Sequence, residues 1–299
     1  MEKYFFPLRN LLRIFILIVL ISFAGISTVN AEESEGGQLD IVEKVVDHDY
    51  VDFYFLGKLH LPKFDPVHVG PLAIDFSITK TLFMMFLVSI FSVLLLTFAA
   101  KSNVRNKAPK GVGNFVEIII VFIRDEIVLP NMGKEGLRLL PYFLSLFFFI
   151  LFSNLFGLIP FMVQPTKNLS VTTALALLTF FITQIEGMKK NGVIGYFKGL
   201  VPHGIPGFVL PVMIIVEFIG LFTKPFALLM RLFANITAGS IIILSLLGLI
   251  FVMSYAGIAI ALPFTLFIYC LELFIALLQA YIFTMLSVLF VSMAMHQDH

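Results

Sequence analysis

The sequence predicts an all-α polytopic membrane protein. It should have about five transmembrane helices, one interfacial amphipathic helix, and a last pair of helices that are long and strongly tilted. Three observations predict this. The 299-residue chain is 59% hydrophobic, with a mean hydropathy of +1.01. Its charged share is 13%, about half that of soluble domains. Its apolar residues fall in uncharged blocks long enough to cross a hydrocarbon core of ~30 Å. This composition excludes a soluble globular enzyme, a disordered chain and a coiled coil. The net charge of +1, from 20 Lys+Arg and 19 Asp+Glu, leaves no basic surplus for a nucleic acid backbone. The single cysteine, Cys270, excludes an internal disulfide framework and a thiolate metal cluster.

Residues 1–31 read as a signal peptide. Lys3, Arg9 and Arg13 form a positive leading region, Ile14 to Ala24 a short apolar run, and Val29-Asn30-Ala31 a small-residue cleavage site before Glu32. An uncleaved N-terminal helix is the alternative. Residues 32–76 change character: ten acids stand against three bases, a net of −7, among aromatic, Pro and Gly residues. This is expected to be a small, partly ordered extracytoplasmic segment. His48, His60 and His68 fit no standard ligand spacing, so no metal or cofactor site is assigned.

The membrane domain is expected over 77–299. Thr81 to Ala100 is a twenty-residue uncharged span. Lys101, Arg105, Lys107 and Lys110 follow without an acid, which places this end in the cytoplasm and the acidic segment outside. Val112 to Pro130 is apolar but carries Glu117, Arg124, Asp125 and Glu126, so it should lie in the interface rather than cross it. Leu139 to Val163 is the second span. A tight turn at Pro165 and Lys167 leads into the third, Asn168 to Ile185. Lys189, Lys190 and Lys198 then fall on the cytoplasmic side. From Gly207 to Met295 the only charges are Glu217, Lys224, Arg231 and Glu272. Two helices, about 207–254 and 258–295, exceed the ~20 residues of a perpendicular span and must tilt or bend. The C-terminus is expected in the cytoplasm.

Arg231 is the central charge. Pro225 to Met230 precedes it with no polar side chain. Leu232 to Ile250 follows, interrupted only by Asn235, Thr237, Ser240 and Ser245. A charge at such depth costs ~2.5–3.5 kcal/mol on insertion scales, so Arg231 should meet an acid or water inside the membrane. On a helical wheel Glu217, Lys224, Arg231 and Asn235 lie within about 40° of one another. Ala227, Ala234, Ala238 and Gly239 flank them, and small residues allow another helix to approach closely. On the returning helix Glu272 and Gln279 share a face. With Arg231 set opposite Gln279, Ser240 falls level with Glu272, about 10 Å nearer the outside. Glu217 lies roughly 21 Å nearer the cytoplasm. Two titratable acids thus bracket one cation that never loses its proton. The expectation is a device of two half-channels, in which a proton entering from either side should stop at Arg231 and cross only on a moving carboxylate of another subunit. That carboxylate is charged near Arg231 and neutral in lipid.

The run Lys224-Pro225-Phe226-Ala227-Leu228-Leu229-Met230-Arg231-Leu232-Phe233-Ala234-Asn235-Ile236-Thr237-Ala238-Gly239 resembles the signature of subunit a of F-type ATP synthases. Leu277-Leu278-Gln279-Ala280-Tyr281-Ile282-Phe283 is similar to that family's second signature, and Asn154-Leu155-Phe156-Gly157-Leu158-Ile159-Pro160 to a weaker third. The resemblance covers about residues 77–295. It implies a non-catalytic, proton-translocating stator subunit in the Fo sector of a bacterial inner membrane. The implied partners are the c-ring, the subunit b peripheral stalk and the remaining F1Fo subunits. Arg231 is implied as the arginine facing the ring, Asn235 and Gln279 as its polar neighbours, and Glu217 as the acid of the cytoplasmic half-channel. Ser240 and Glu272 correspond to a variable pair on the outer half-channel, with the proton role falling mainly on Glu272. Gly157 stands where many relatives carry a polar or acidic residue. The competing reading is a self-contained ion-coupled secondary transporter or channel. It calls for broken helices and repeat symmetry, and the sequence displays neither. No nucleophile–base pair supports an enzyme.

Overall fold

The structure, a computed structural model, describes residues 50–53, 57–60, 67–69, 72–74, 79–105, 111–159, 162–199 and 210–296. For the strands, for 101–105 and for 210–211, 236, 240, 244 and 247–260 it describes backbone alone. The expected signal peptide, most of the acidic segment, and the loop before Gly207 lie outside these residues. Within the acidic segment are two antiparallel hairpins, β1 (Tyr50–Phe53) with β2 (Gly57–His60) and β3 (Val67–Val69) with β4 (Leu72–Ile74). Their registers pair Tyr50 with His60 and Val67 with Ile74. All other regular structure among the described residues is helical, and five helical segments are long and apolar enough to cross a membrane. The chain is an all-α polytopic membrane protein.

Helix α1 (Lys80–Arg105) opens where the Thr79 hydroxyl accepts the Leu82 amide at 3.4 Å. Helix α2 (Val112–Phe122) leaves Val112, Phe115, Ile118 and Phe122 exposed along one side. It continues through a π-helical stretch, Ile123–Val128, into α3 (Leu129–Met132). Gly133, at a φ of 59°, ends that helix in a conformation favouring glycine. The expected interfacial helix is therefore present but carries an extra residue in one turn. Ile123, Ile127 and Val128 are buried there, so packing holds the widened turn in place.

Helix α4 (Leu140–Gly157) is the most enclosed of the spans. Phe143, Phe148, Phe149 and Ile150 are at most 1% exposed. Phe91 of α1 meets Phe152 and Phe156 edge-on at 5.0 and 5.2 Å. Helix α5 (Leu169–Asn191) starts at Asn168, whose side chain accepts the Ser170 amide at 2.9 Å. It closes with Lys189 and Lys190 in its last turn, where cations suit the carbonyl end. Helix α6 (Val193–Gly199) follows directly. Gly187 lets the buried Tyr196 ring lie against α5; a Cβ there would sit 2.6 Å from Tyr196 Cε2.

Helix α7 (Leu210–Met295) runs as 86 helical residues. Straight, it would reach ~129 Å. Instead it doubles back: Asn235 meets Gln279, and the Lys224 ammonium lies over the Phe290 ring. Both pairs centre on residue 257, so the reversal falls where the sequence reading put it. The two arms pack on α4 and α5. The expected long helices are confirmed, joined as one helical hairpin.

Polar contacts fasten the Lys189–Lys190 end. Glu186, buried on α5, binds Arg138, and Lys189 at 3.0 Å. Lys190 reaches Glu135 at 2.5 Å. Asn191 donates to the Ala294 carbonyl at 3.0 Å, holding the end of α7.

Candidate functional site

The outgoing arm of α7 sorts its side chains by face. Leu228 and Leu232, at most 1% exposed, point into the core. That rotation turns Arg231, Ala227, Ala234, Asn235 and Ala238 to the exposed side. Arg231 makes no hydrogen bond or ion pair among the described residues. A guanidinium so placed sits on a surface of small residues, with Phe226 and Met230 exposed beside it. It is free to meet a carboxylate from outside the chain.

The Asn235 amide donates to Gln279 Oε1 at 3.2 Å. Gln279 is 2% exposed, and its Nε2 has no partner among the described residues. The sequence reading set Gln279 opposite Arg231. The structure moves the register by one turn: Asn235 meets Gln279, and Arg231 stays on the exposed face beside the pair. Half-buried Glu272 lies across Gly239, where an added Cβ would meet its Oε1. The expected neighbour Ser240 is the next residue; its side chain lies outside the described set. Gly239 is eight residues beyond Arg231, or about 12 Å along the axis.

Glu217 lies fourteen residues before Arg231, and with Lys224 it lines a cavity of about 160 Å3 between α5, α6 and both arms of α7. Thr179, Thr183 and Gln184 of α5 and Tyr196 of α6 contribute the remaining polar groups. The volume accommodates several waters. Pro225 also lines it. Lacking an amide N–H, this proline leaves the Leu221 carbonyl one turn back without its usual helical donor, and Leu221 also lines the cavity. On α7 the cavity reaches Leu228, just short of Arg231. Lys224 Nζ is 5.8 Å from the Phe290 ring centroid, a cation–π contact.

A second polar cluster lies at the other end of the bundle. Asn154 Oδ1 accepts from Gln164 Nε2 at 3.0 Å and from the Thr166 hydroxyl at 2.9 Å. Asn154 and Thr166 are fully enclosed, and Asn154 Nδ2 has no partner among the described residues. Gly157 makes room for this: a Cβ there would sit 2.5 Å from Gln164 Cβ. Next to the cluster, burial pushes the Lys167 ammonium below the usual lysine range. Glu272 opposes that shift and Lys80 adds to it.

The structure therefore joins Asn235 to Gln279, sets Glu272 against Gly239, and places Glu217 in the cavity. Arg231 stands apart on the exposed face. The sequence reading missed Thr179 and Thr183, whose spacing of four already puts them on one helix face. It missed Gln164 and Thr166 and treated Lys167 as a turn residue only. Nothing local signals those three.

Comparison with known proteins agrees with the sequence resemblance. The family model described as ATP synthase A chain matches residues 82–292. The chain is 44% identical over 268 residues to ATP synthase subunit a of Chloroherpeton thalassium, covering 88% of this chain and 78% of that relative. It is 46% identical over 234 residues to ATP synthase subunit a of Myxococcus xanthus, covering 76% and 77%. With ATP synthase subunit a 2 of Chlorobaculum tepidum the identity is 44% over 274 residues, covering 90% and 76%.

Proposed function

The chain belongs to the ATP synthase A chain family, and from that premise we propose that it is the proton-translocating stator subunit of an F-type ATP synthase. The reading rests chiefly on one observation: Arg231 is exposed, without a partner among the described residues, on a face of small residues in an apolar helix. That face suits a ring of helices carrying one carboxylate each. The cation draws a passing carboxyl group into its charged form. The released proton leaves through the cavity of Glu217, Thr179, Thr183 and Gln184 towards the cytoplasm. On the other side Glu272 collects a proton from outside and hands it to the next ring carboxylate, which then rides neutral through lipid. Arg231 keeps its own proton and so separates the two half-channels. Asn235 and Gln279 hold the two arms in register beside it, and Ser240 belongs with Glu272.

The subunit catalyses no covalent chemistry of ATP; the partners are the c-ring, the subunit b stalk and the remaining F1Fo subunits. The membrane is the bacterial inner membrane, with the β-hairpins outside and the Lys189–Lys190 end in the cytoplasm. Residues 1–31 act as a signal peptide, 32–76 as an extracytoplasmic segment and 77–299 as the membrane domain. Arg231→Ala in the assembled complex should abolish ATP-driven acidification of inverted vesicles while ATP hydrolysis continues. Normal acidification by that variant would overturn the reading.

A further inference from the structure

The cavity beside Glu217 has two threonines in its wall, Thr179 and Thr183 of α5. A threonine hydroxyl carries one hydrogen and two acceptor lone pairs. Both hydrogens are spent on the helix itself. Thr179 donates to the Leu175 carbonyl at 3.1 Å, and Thr183 to the Thr179 carbonyl at 2.8 Å. What each offers a water in the cavity is therefore an acceptor. Thr179 is also tied from outside its helix. The Tyr142 hydroxyl, in the first turn of α4, lies 2.7 Å from Thr179 Oγ1, and both side chains are buried. Among the described residues Thr179 is the hydrogen-bond partner of that hydroxyl. A buried donor without an acceptor is costly, so Tyr142 donates and Thr179 accepts. The order runs from Tyr142 to Thr179 to the Leu175 carbonyl, and it leaves one lone pair of Thr179 for the cavity. Without Tyr142 the Thr179 hydrogen could swing to a water, because a helical carbonyl already has a backbone donor.

We propose that Tyr142 is a positioning residue for proton exit: it holds Thr179 as a fixed acceptor and so sets the direction in which water in the cavity points. The proposal rests on the reading of this cavity as the cytoplasmic half-channel. In the step, the O–H bond of a ring carboxyl group breaks near Arg231 and a new O–H bond forms on a water of the cavity. The charge then moves from water to water, each accepting one proton on a lone pair and giving up another. A water that donates one hydrogen to Thr179 keeps its lone pair for the proton arriving from the Arg231 side. Its second hydrogen goes on towards Glu217, whose carboxylate takes it up and releases it to water of the cytoplasm. A Thr179 hydroxyl turned the other way would occupy the lone pair on which the proton must arrive.

The test measures passive proton conduction by membrane-embedded Fo in light and in heavy water, with ATP hydrolysis by the complete complex as the check on assembly. Tyr142→Phe keeps the ring and removes the donor. Conduction should fall about fivefold, the worth of one hydrogen bond, and the light-to-heavy rate ratio should rise as proton hand-over at Thr179 becomes the slow step. A merely structural bond would lower the number of intact complexes and leave that ratio unchanged. Tyr142→para-aminophenylalanine puts an N–H donor in the same place and should restore both quantities. Thr179→Val should lower conduction likewise, and adding Tyr142→Phe to it should cost nothing more. That double variant leaves neither partner of the bond unpaired, so it serves where Tyr142→Phe alone assembles poorly. Wild-type conduction or an unchanged ratio in Tyr142→Phe, no recovery with the para-amino side chain, or a further several-fold loss in the double variant overturns the proposal. Glu217→Gln separates the two readings. If it leaves conduction intact, the assignment of the cavity fails. If it blocks conduction while Tyr142→Phe conducts as the wild type does, only the role of Tyr142 fails.

Discussion

Asn235 and Gln279 are joined across the α7 hairpin by a hydrogen bond of 3.2 Å, one turn from Arg231. Two neutral side chains, 44 residues apart in sequence, thus hold the exposed cation at a set height. Removing the donor by Asn235→Ala forfeits a bond worth about 1 kcal/mol and leaves Gln279 enclosed with neither end of its amide paired. ATP-driven pumping in vesicles should fall several-fold but persist, in contrast to its loss in Arg231→Ala. Wild-type pumping in Asn235→Ala would remove this pair from the mechanism.

Gly239 lies where a Cβ would collide with the Glu272 carboxylate. Gly239→Ala should therefore displace that carboxylate while adding to local helix preference. Proton conduction through Fo should drop, with little change in thermal stability. Conduction unaffected by the substitution would indicate that Glu272 swings aside freely.

Glu186 is 7% exposed at its side chain and is held by Arg138 and Lys189. Arg138→Ala should destabilise the fold by about 1–2 kcal/mol. That is less than the ~3–5 kcal/mol of breaking a fully buried pair, because Arg138 is 65% exposed and Lys189 remains in contact. Thermal unfolding of the purified complex in detergent reads this directly.

Lys190 beside Glu135 holds that carboxyl below its ordinary value of 4.5. A carboxyl lowered in the folded state contributes fully above that ordinary value and loses its contribution as pH falls through the lowered one. Amide hydrogen exchange at Met293 to His296, anchored to the same region through Lys190 and Asn191, should accelerate relative to intrinsic rates as pH falls below that ordinary value. Lys190→Met should remove that acid-dependent step.

Much of the fold follows from local pattern. The first span, expected over Thr81 to Ala100, appears as Lys80–Arg105. The second, expected to Val163, stops at Gly157. Apolar content continues past that point, but Pro160 opposes helix in the residue before it, and Gln164 folds back over Gly157. The π-helical stretch Ile123–Val128 left no trace in the sequence, since one extra residue in a turn is set by what packs around it.

Composition, uncharged block lengths and the flanking lysines were enough to establish a membrane protein, its spans and the isolation of Arg231, because the cost of charge in hydrocarbon acts on each segment separately. The partner of Gln279, the contact of Glu272 with Gly239, and the meeting of Gln164 and Thr166 on Asn154 depend on how one helix slides and rotates against another. Those positions emerge from packing between residues far apart in the chain, where a shift of a single turn exchanges every polar pair while leaving each helix's own pattern unchanged.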